Sequence, residues 1–76
     1  MKYKVGEKLK AITKASDIRI GDTITITEIL LHRYDKPTYQ IQINKGQISQ
    51  RYVYYIDNEK NFTRIKVVNW EKEFES

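Results

Sequence analysis

The chain has 76 residues, no cysteine and a formal net charge of +4, from 14 Lys and Arg against 10 Asp and Glu. That length allows one domain with a modest core and leaves little room for a deep enclosed active site. Without cysteine there are no disulfides, thiolate zinc sites or cysteine nucleophiles, and a reducing, cytoplasmic setting is expected.

No apolar run approaches the roughly 18–20 residues that span a bilayer, so no membrane partner is expected. Met1-Lys2-Tyr3-Lys4-Val5-Gly6 has basic residues but no apolar stretch behind them, unlike a secretory signal. One domain is expected over residues 1–70, followed by an acidic tail over 71–76. The dominant signal is period-two alternation of β-branched residues broken by glycine and asparagine turns, which predicts an all-β fold.

Lys8 to Thr13 predicts a first strand, with Leu9 and Ala11 on one face and Ile12 on the other. Ser16-Asp17 opens a loop, and Ile18 to Asp22 reads as a short extended segment ending in a Gly-Asp turn. Thr23-Ile24-Thr25-Ile26-Thr27 is the cleanest alternation. Ile29 and Leu31 then fall in the opposite phase from Ile24 and Ile26, which requires an extra residue and predicts a β-bulge near Glu28.

His32 to Pro37 reads as a polar loop, and Tyr39 to Ile43 alternates again with Gln40 and Gln42 outward. Asn44-Lys45-Gly46 fits a tight hairpin turn with the glycine left-handed. A strand over Ile48–Ile56, one 3-10-like helical turn over Asp57–Asn61 and a last strand over Thr63–Val68 complete the expectation. The predicted core is Leu9, Ile12, Ile20, Ile24, Ile26, Ile29, Leu31, Tyr39, Ile41, Ile43, Val53, Ile56, Phe62, Ile65 and Val67.

Residues for site chemistry are sparse. His32 is the single histidine and lacks the partners that a metal site or a triad needs. Glycines 6, 21 and 46 are dispersed, so no phosphate-binding loop forms. No enzyme activity, metal or cofactor is expected. In a strand over Ile48–Ile56, Tyr52 and Tyr54 share one face while Arg51, Val53 and Tyr55 share the other. At least one large aromatic should then stay exposed, unless a bent strand buries both faces.

The layout resembles the five-stranded SH3-like barrel. Val5-Gly6-Glu7-Lys8-Leu9-Lys10-Ala11 followed by Ile20-Gly21-Asp22-Thr23-Ile24-Thr25-Ile26 resembles KOW-type and other bacterial SH3-like modules. It is also similar to small proteins of phages and plasmids of Gram-positive bacteria. Trp70 lies after the last strand instead of opening one, so proline-peptide binding is not carried over.

Two functional expectations follow. The first is a non-enzymatic interaction module, of the kind a mobile element uses to bind a host protein, with contacts from Arg33, Tyr34, Gln40, Gln42, Lys45, Arg51, Tyr52, Tyr54 and Tyr55. The alternative is nucleic-acid binding through Lys2, Lys4, Lys8, Lys10 and Lys14, because basic segments interleaved with aromatics can meet phosphates and bases. The net charge is equally compatible with simple solubility.

Overall fold

The computed structural model describes residues 1–31 and 35–65. Five strands form: β1 (Lys8–Ala11), β2 (Thr23–Leu30), β3 (Thr38–Ile43), β4 (Ile48–Tyr52) and β5 (Phe62–Arg64). A single helical turn, α1 (Val53–Ile56), lies between β4 and β5. All neighbouring strands are antiparallel, in the order β4-β3-β2-β1-β5. The all-β expectation holds; the sheet is open, with β4 and β5 as its edges.

Alternation decides which face is buried. Leu9, Ala11, Ile24, Ile26, Tyr39, Ile41, Ile43 and Phe62 point to one side and form a buried cluster. The expected bulge is present: Ile26 pairs with Ile41 but Glu28 pairs with Gln40, leaving Thr27 as the extra residue. The shift places Ile29 opposite Tyr39, and Ile29 packs against the core. The Thr27 hydroxyl donates to the Gln40 carbonyl at 3.0 Å, which occupies an acceptor beside the bulge.

Tyr3, Ile18 and Ile56, none of them in a strand, cover this face and are themselves buried. Burying a large aliphatic side chain contributes about 1.5–3 kcal/mol. Tyr39 fills the centre, and its hydroxyl must be satisfied there. It donates to Asp57 Oδ1 at 2.8 Å and accepts the Tyr3 N–H at 3.1 Å, while the Lys2 N–H donates to Asp57 Oδ2 at 3.1 Å. Burial is the main reason the phenol is pushed up to about 12. The Tyr3 hydrogen bond opposes that rise, and the Asp57 carboxylate adds to it.

Several expectations need correction. Ile12, Ile20, Leu31 and Ile65 are exposed, whereas Tyr3, Ala11, Ile18 and Leu30 are buried. Ile20 sits in the middle of the Arg19–Asp22 turn, closed by the Asp22 N–H to the Arg19 carbonyl at 3.0 Å, so Ile18 takes the inward place. Gly21, at φ 96°, supplies the left-handed position of that turn. Leu31 lies beyond the last β2–β3 pair, Leu30 with Thr38.

In the β3–β4 turn Asn44, at φ 55°, is left-handed in place of Gly46. Its side chain accepts the Thr23 N–H at 3.0 Å and donates to Asp22 Oδ1 at 3.4 Å, long-range bonds that fix the turn to the start of β2. The expected strand over Ile48–Ile56 stops at Tyr52, and the helical turn comes at Val53–Ile56 instead of Asp57–Asn61.

Proline explains that shift. The Val53 N–H still donates to the Pro37 carbonyl at 2.9 Å, but Pro37 has no N–H to return. The Val53 carbonyl turns instead to the Asp57 N–H, at 2.8 Å, which closes the helical turn. Residues 57–61 form a separate turn, in which the Lys60 N–H donates to Asn58 Oδ1 at 2.9 Å. Val67, the end of the last expected strand and the acidic tail 71–76 lie outside the described residues.

Two predictions follow from this core. Ile41→Ala should cost about 2–5 kcal/mol in urea unfolding, while Ile20→Ala should stay within about 0.5 kcal/mol. Equal losses at the two sites would mean that the inner face is wrongly assigned. Tyr39 should also couple stability to alkaline pH. An unfolded phenol ionises near 10.0, but the folded one holds its proton to about 12. Its contribution is therefore whole below pH 10 and is lost as pH rises through 12, by up to about 1.4 kcal/mol per pH unit. Tyr39→Phe should flatten the alkaline limb of the stability–pH curve relative to the parent.

Candidate functional site

A groove of about 470 Å³ runs beside the edge strand β4 and is lined by Ala15, Thr38, Gln50, Arg51, Tyr52, Tyr54 and Tyr55. Four elements build it. Strand β4 supplies Gln50, Arg51 and Tyr52, helix α1 supplies Tyr54 and Tyr55, strand β3 supplies Thr38, and the long β1–β2 loop supplies Ala15.

The switch from strand to helix after Tyr52 sets the positions of the three tyrosines. Tyr52 ends the strand on the side opposite the core, since it pairs with Thr38 while Arg51 pairs with the inward Tyr39. Tyr54, the second residue of α1, comes alongside it. The two rings stack with centroids 5.5 Å apart and planes 12° from parallel. Both stay open to solvent, Tyr52 at 43% and Tyr54 at 63% exposure. The Lys36 ammonium lies 5.3 Å from the centre of the Tyr54 ring. Tyr55 turns inward and meets Phe62 edge-on at 5.6 Å, which anchors the helix to the core.

Arg51 faces the inner side of β4, and its guanidinium pairs with Asp17 of the β1–β2 loop. The same guanidinium donates to the Gln50 carbonyl at 2.8 Å and to the Ser49 hydroxyl. The Ser49 hydroxyl also bonds to Asp17, at 3.4 Å. The Arg51 hydrogen bond is the leading reason the Asp17 carboxyl is held below the usual carboxylate range. Ala15 is bound within this loop by its N–H to the Ile18 carbonyl at 2.8 Å.

Of the contacts expected from sequence, Tyr52, Tyr54, Tyr55 and Arg51 come together here. Gln40 and Gln42 do not line the groove: Gln40 Nε2 donates to the Thr27 hydroxyl at 3.2 Å and Gln42 Nε2 to the Gly46 carbonyl at 3.3 Å. Lys45 is at the β3–β4 turn, beyond the opposite end of β3 from Lys36. Arg33 and Tyr34 lie outside the described residues, as does His32. Sequence reasoning missed Ala15, Asp17, Thr38, Ser49 and Gln50; opposite charge at positions 17 and 51 was the one available signal, across 34 residues.

The alternative lysines are divided by the fold. Lys2 pairs with Glu59 at 2.9 Å, whereas Lys4, Lys8, Lys10 and Lys14 are exposed. Among the described residues no group of three or more His, Cys, Asp or Glu is arranged to hold a metal ion, and no helix is long and apolar enough to cross a membrane.

The loop latch yields a measurable consequence. Asp17→Asn removes the carboxylate while keeping the shape, and Ile18 remains as an apolar anchor. Amide exchange at Ala15 should accelerate by no more than about fivefold, as for a partly exposed ion pair. A much larger increase would make the latch, and not Ile18, the main support of the loop. Comparison of the chain with family models, with curated proteins and with solved structures finds no match.

Proposed function

We propose that this chain is a non-enzymatic binding module with an SH3-like fold, which takes a segment of another protein in the groove beside β4. The observation that carries the reading is the exposed, stacked Tyr52–Tyr54 pair at that groove. Large aromatics held open to water lose solvation gain, and a partner that covers them recovers it. Rigid, amphipathic tyrosines are a frequent anchor of protein interfaces. The strand order, the long first loop and the helical turn before the last strand support the SH3-like assignment.

A protein partner suits this groove better than a polyanion. Arg51 is committed to Asp17 and to the β4 backbone, and Lys36 to the face of Tyr54. Little positive charge is left there for a run of phosphates. The resemblance to small phage and plasmid proteins makes a host protein the partner this reading favours.

The test begins with affinity capture from a Gram-positive lysate and continues with the captured protein in purified form. Tyr54→Ala should cost at least about 2 kcal/mol of binding with little change in melting, because the ring is 63% exposed. A photo-crosslinker replacing Tyr52 should label the partner, and one at Lys45 should not. Full binding by the Tyr52→Ala, Tyr54→Ala double variant would remove the groove from consideration.

A further inference from the structure

A second surface lies at the end of the sheet opposite the Tyr52 end of β4. Antiparallel pairing gathers the C-terminal ends of β1 and β3 and the N-terminal ends of β2, β4 and β5 at one end of the sheet. The turns there carry Lys14, Arg19, Lys45 and Lys60, and the last outward residue of β1 is Lys10. Specific bonds tie these turns together. The Thr13 hydroxyl donates to the Lys60 carbonyl, which sets the Lys14 and Lys60 segments side by side. The Asn44 side chain binds Thr23 and Asp22, so Lys45 follows a residue fixed to the strand beside Lys10.

Among the described residues, the charge at this end is only partly offset, by the Asp22 carboxylate. The ion pairs among the described residues are Lys2–Glu59, Asp17–Arg51 and Glu7–Arg64. None involves Lys10, Lys14, Arg19, Lys45 or Lys60, and all five are exposed. Of the nearby carboxylates, Glu59 is paired with Lys2 and Asp17 with Arg51, while Asp22 accepts from the Arg19 N–H at 2.9 Å and from Asn44, neutral donors that leave its charge in place. Five cations of this end are thus left against Asp22 among the described residues.

We infer that this basic end binds the phosphate backbone of duplex nucleic acid. Several cations on separate rigid turns match a repeating line of phosphates, and neutralising them releases counterions. Single-strand binding normally adds aromatic stacking platforms. The exposed tyrosines, Tyr52 and Tyr54, belong to the opposite end of β4, so the duplex is the better fit. Binding of this type carries no base readout and is independent of sequence.

The test is fluorescence anisotropy with a labelled random-sequence DNA duplex of about 20 base pairs, from about 50 to 200 mM salt. The expected result is binding that weakens with salt, with a log–log slope near −3 to −4 if about four phosphates are neutralised. Lys14→Glu with Lys45→Glu alters turns and not strand pairing; this variant should bind at least about tenfold more weakly with a shallower slope. Lys10→Glu with Lys60→Glu should do the same. Lys4→Glu with Lys36→Glu, which leaves this end untouched, should bind like the parent. Absence of duplex binding at the lowest salt overturns the inference. So does an equal loss in the Lys4, Lys36 variant, tighter binding to the matching single strand, or binding to anionic phospholipid vesicles without binding to the duplex.

Discussion

A single sheet with one apolar face is unstable in water until something covers that face, and among the described residues there is no second sheet to do it. The cover comes from three short pieces: Tyr3 from the N-terminal segment, Ile18 from the first loop and Ile56 from the helical turn. Each brings backbone polar groups near the core, and those groups need partners. The Tyr39 hydroxyl and the Asp57 carboxylate supply them at the point where the N-terminal segment, β3 and the end of α1 meet. Arg64 adds to the same junction, with its guanidinium 5.1 Å from the Tyr3 ring centre and a bond to the Lys2 carbonyl. The position of the helix, and with it the tyrosine pair, depends on this closure.

The same economy shapes the surface. Carboxylates paired with a cation, as Asp17 with Arg51 and Glu59 with Lys2, are neutralised locally, whereas those bound only to amides or hydroxyls keep their charge. The lysines of the strand-end turns are in no such pair among the described residues. An ordinary net charge thereby becomes a directional one, basic at the end where β1 stops and aromatic near the end where β4 stops. The two proposed surfaces meet in the β1–β2 loop, where Ala15 lines the groove and the adjacent Lys14 belongs to the basic end.

Much of the sheet was legible in the sequence because alternation records one-sided burial directly. The phase slip between Ile26 and Ile29 had to be a bulge, and it is one. The boundary of β4 was not legible, since Val53 to Ile56 alternates as well as a strand would. What ends the strand is Pro37, 16 residues earlier, through a hydrogen bond it cannot return (53 − 37). Ile18 and Ile20 were likewise indistinguishable by hydrophobicity. The turn around Gly21 decides between them, placing one inside and the other in water. The tyrosine-rich segment could be read as a surface candidate, but its opposing wall, Ala15 and Asp17, depends on a contact too distant in sequence to leave a periodic trace.

The edge strand explains why the groove should be used through side chains. With the Val53 and Ile43 amides directed at Pro37 and Gln47, the ladder phase turns the backbone groups of Ile48, Gln50 and Tyr52 away from β3. An edge of this kind invites another strand to pair with it. Here the Arg51 guanidinium folds back onto the Gln50 carbonyl, and Asp17 and Ser49 hold it in place. A strand approaching to extend the sheet would have to displace an ion pair at the middle of the edge. The tyrosine rings beside it are open without any displacement. The least costly mode of contact at this groove is therefore aromatic packing against the Tyr52–Tyr54 pair, with the edge of the sheet kept closed by Arg51.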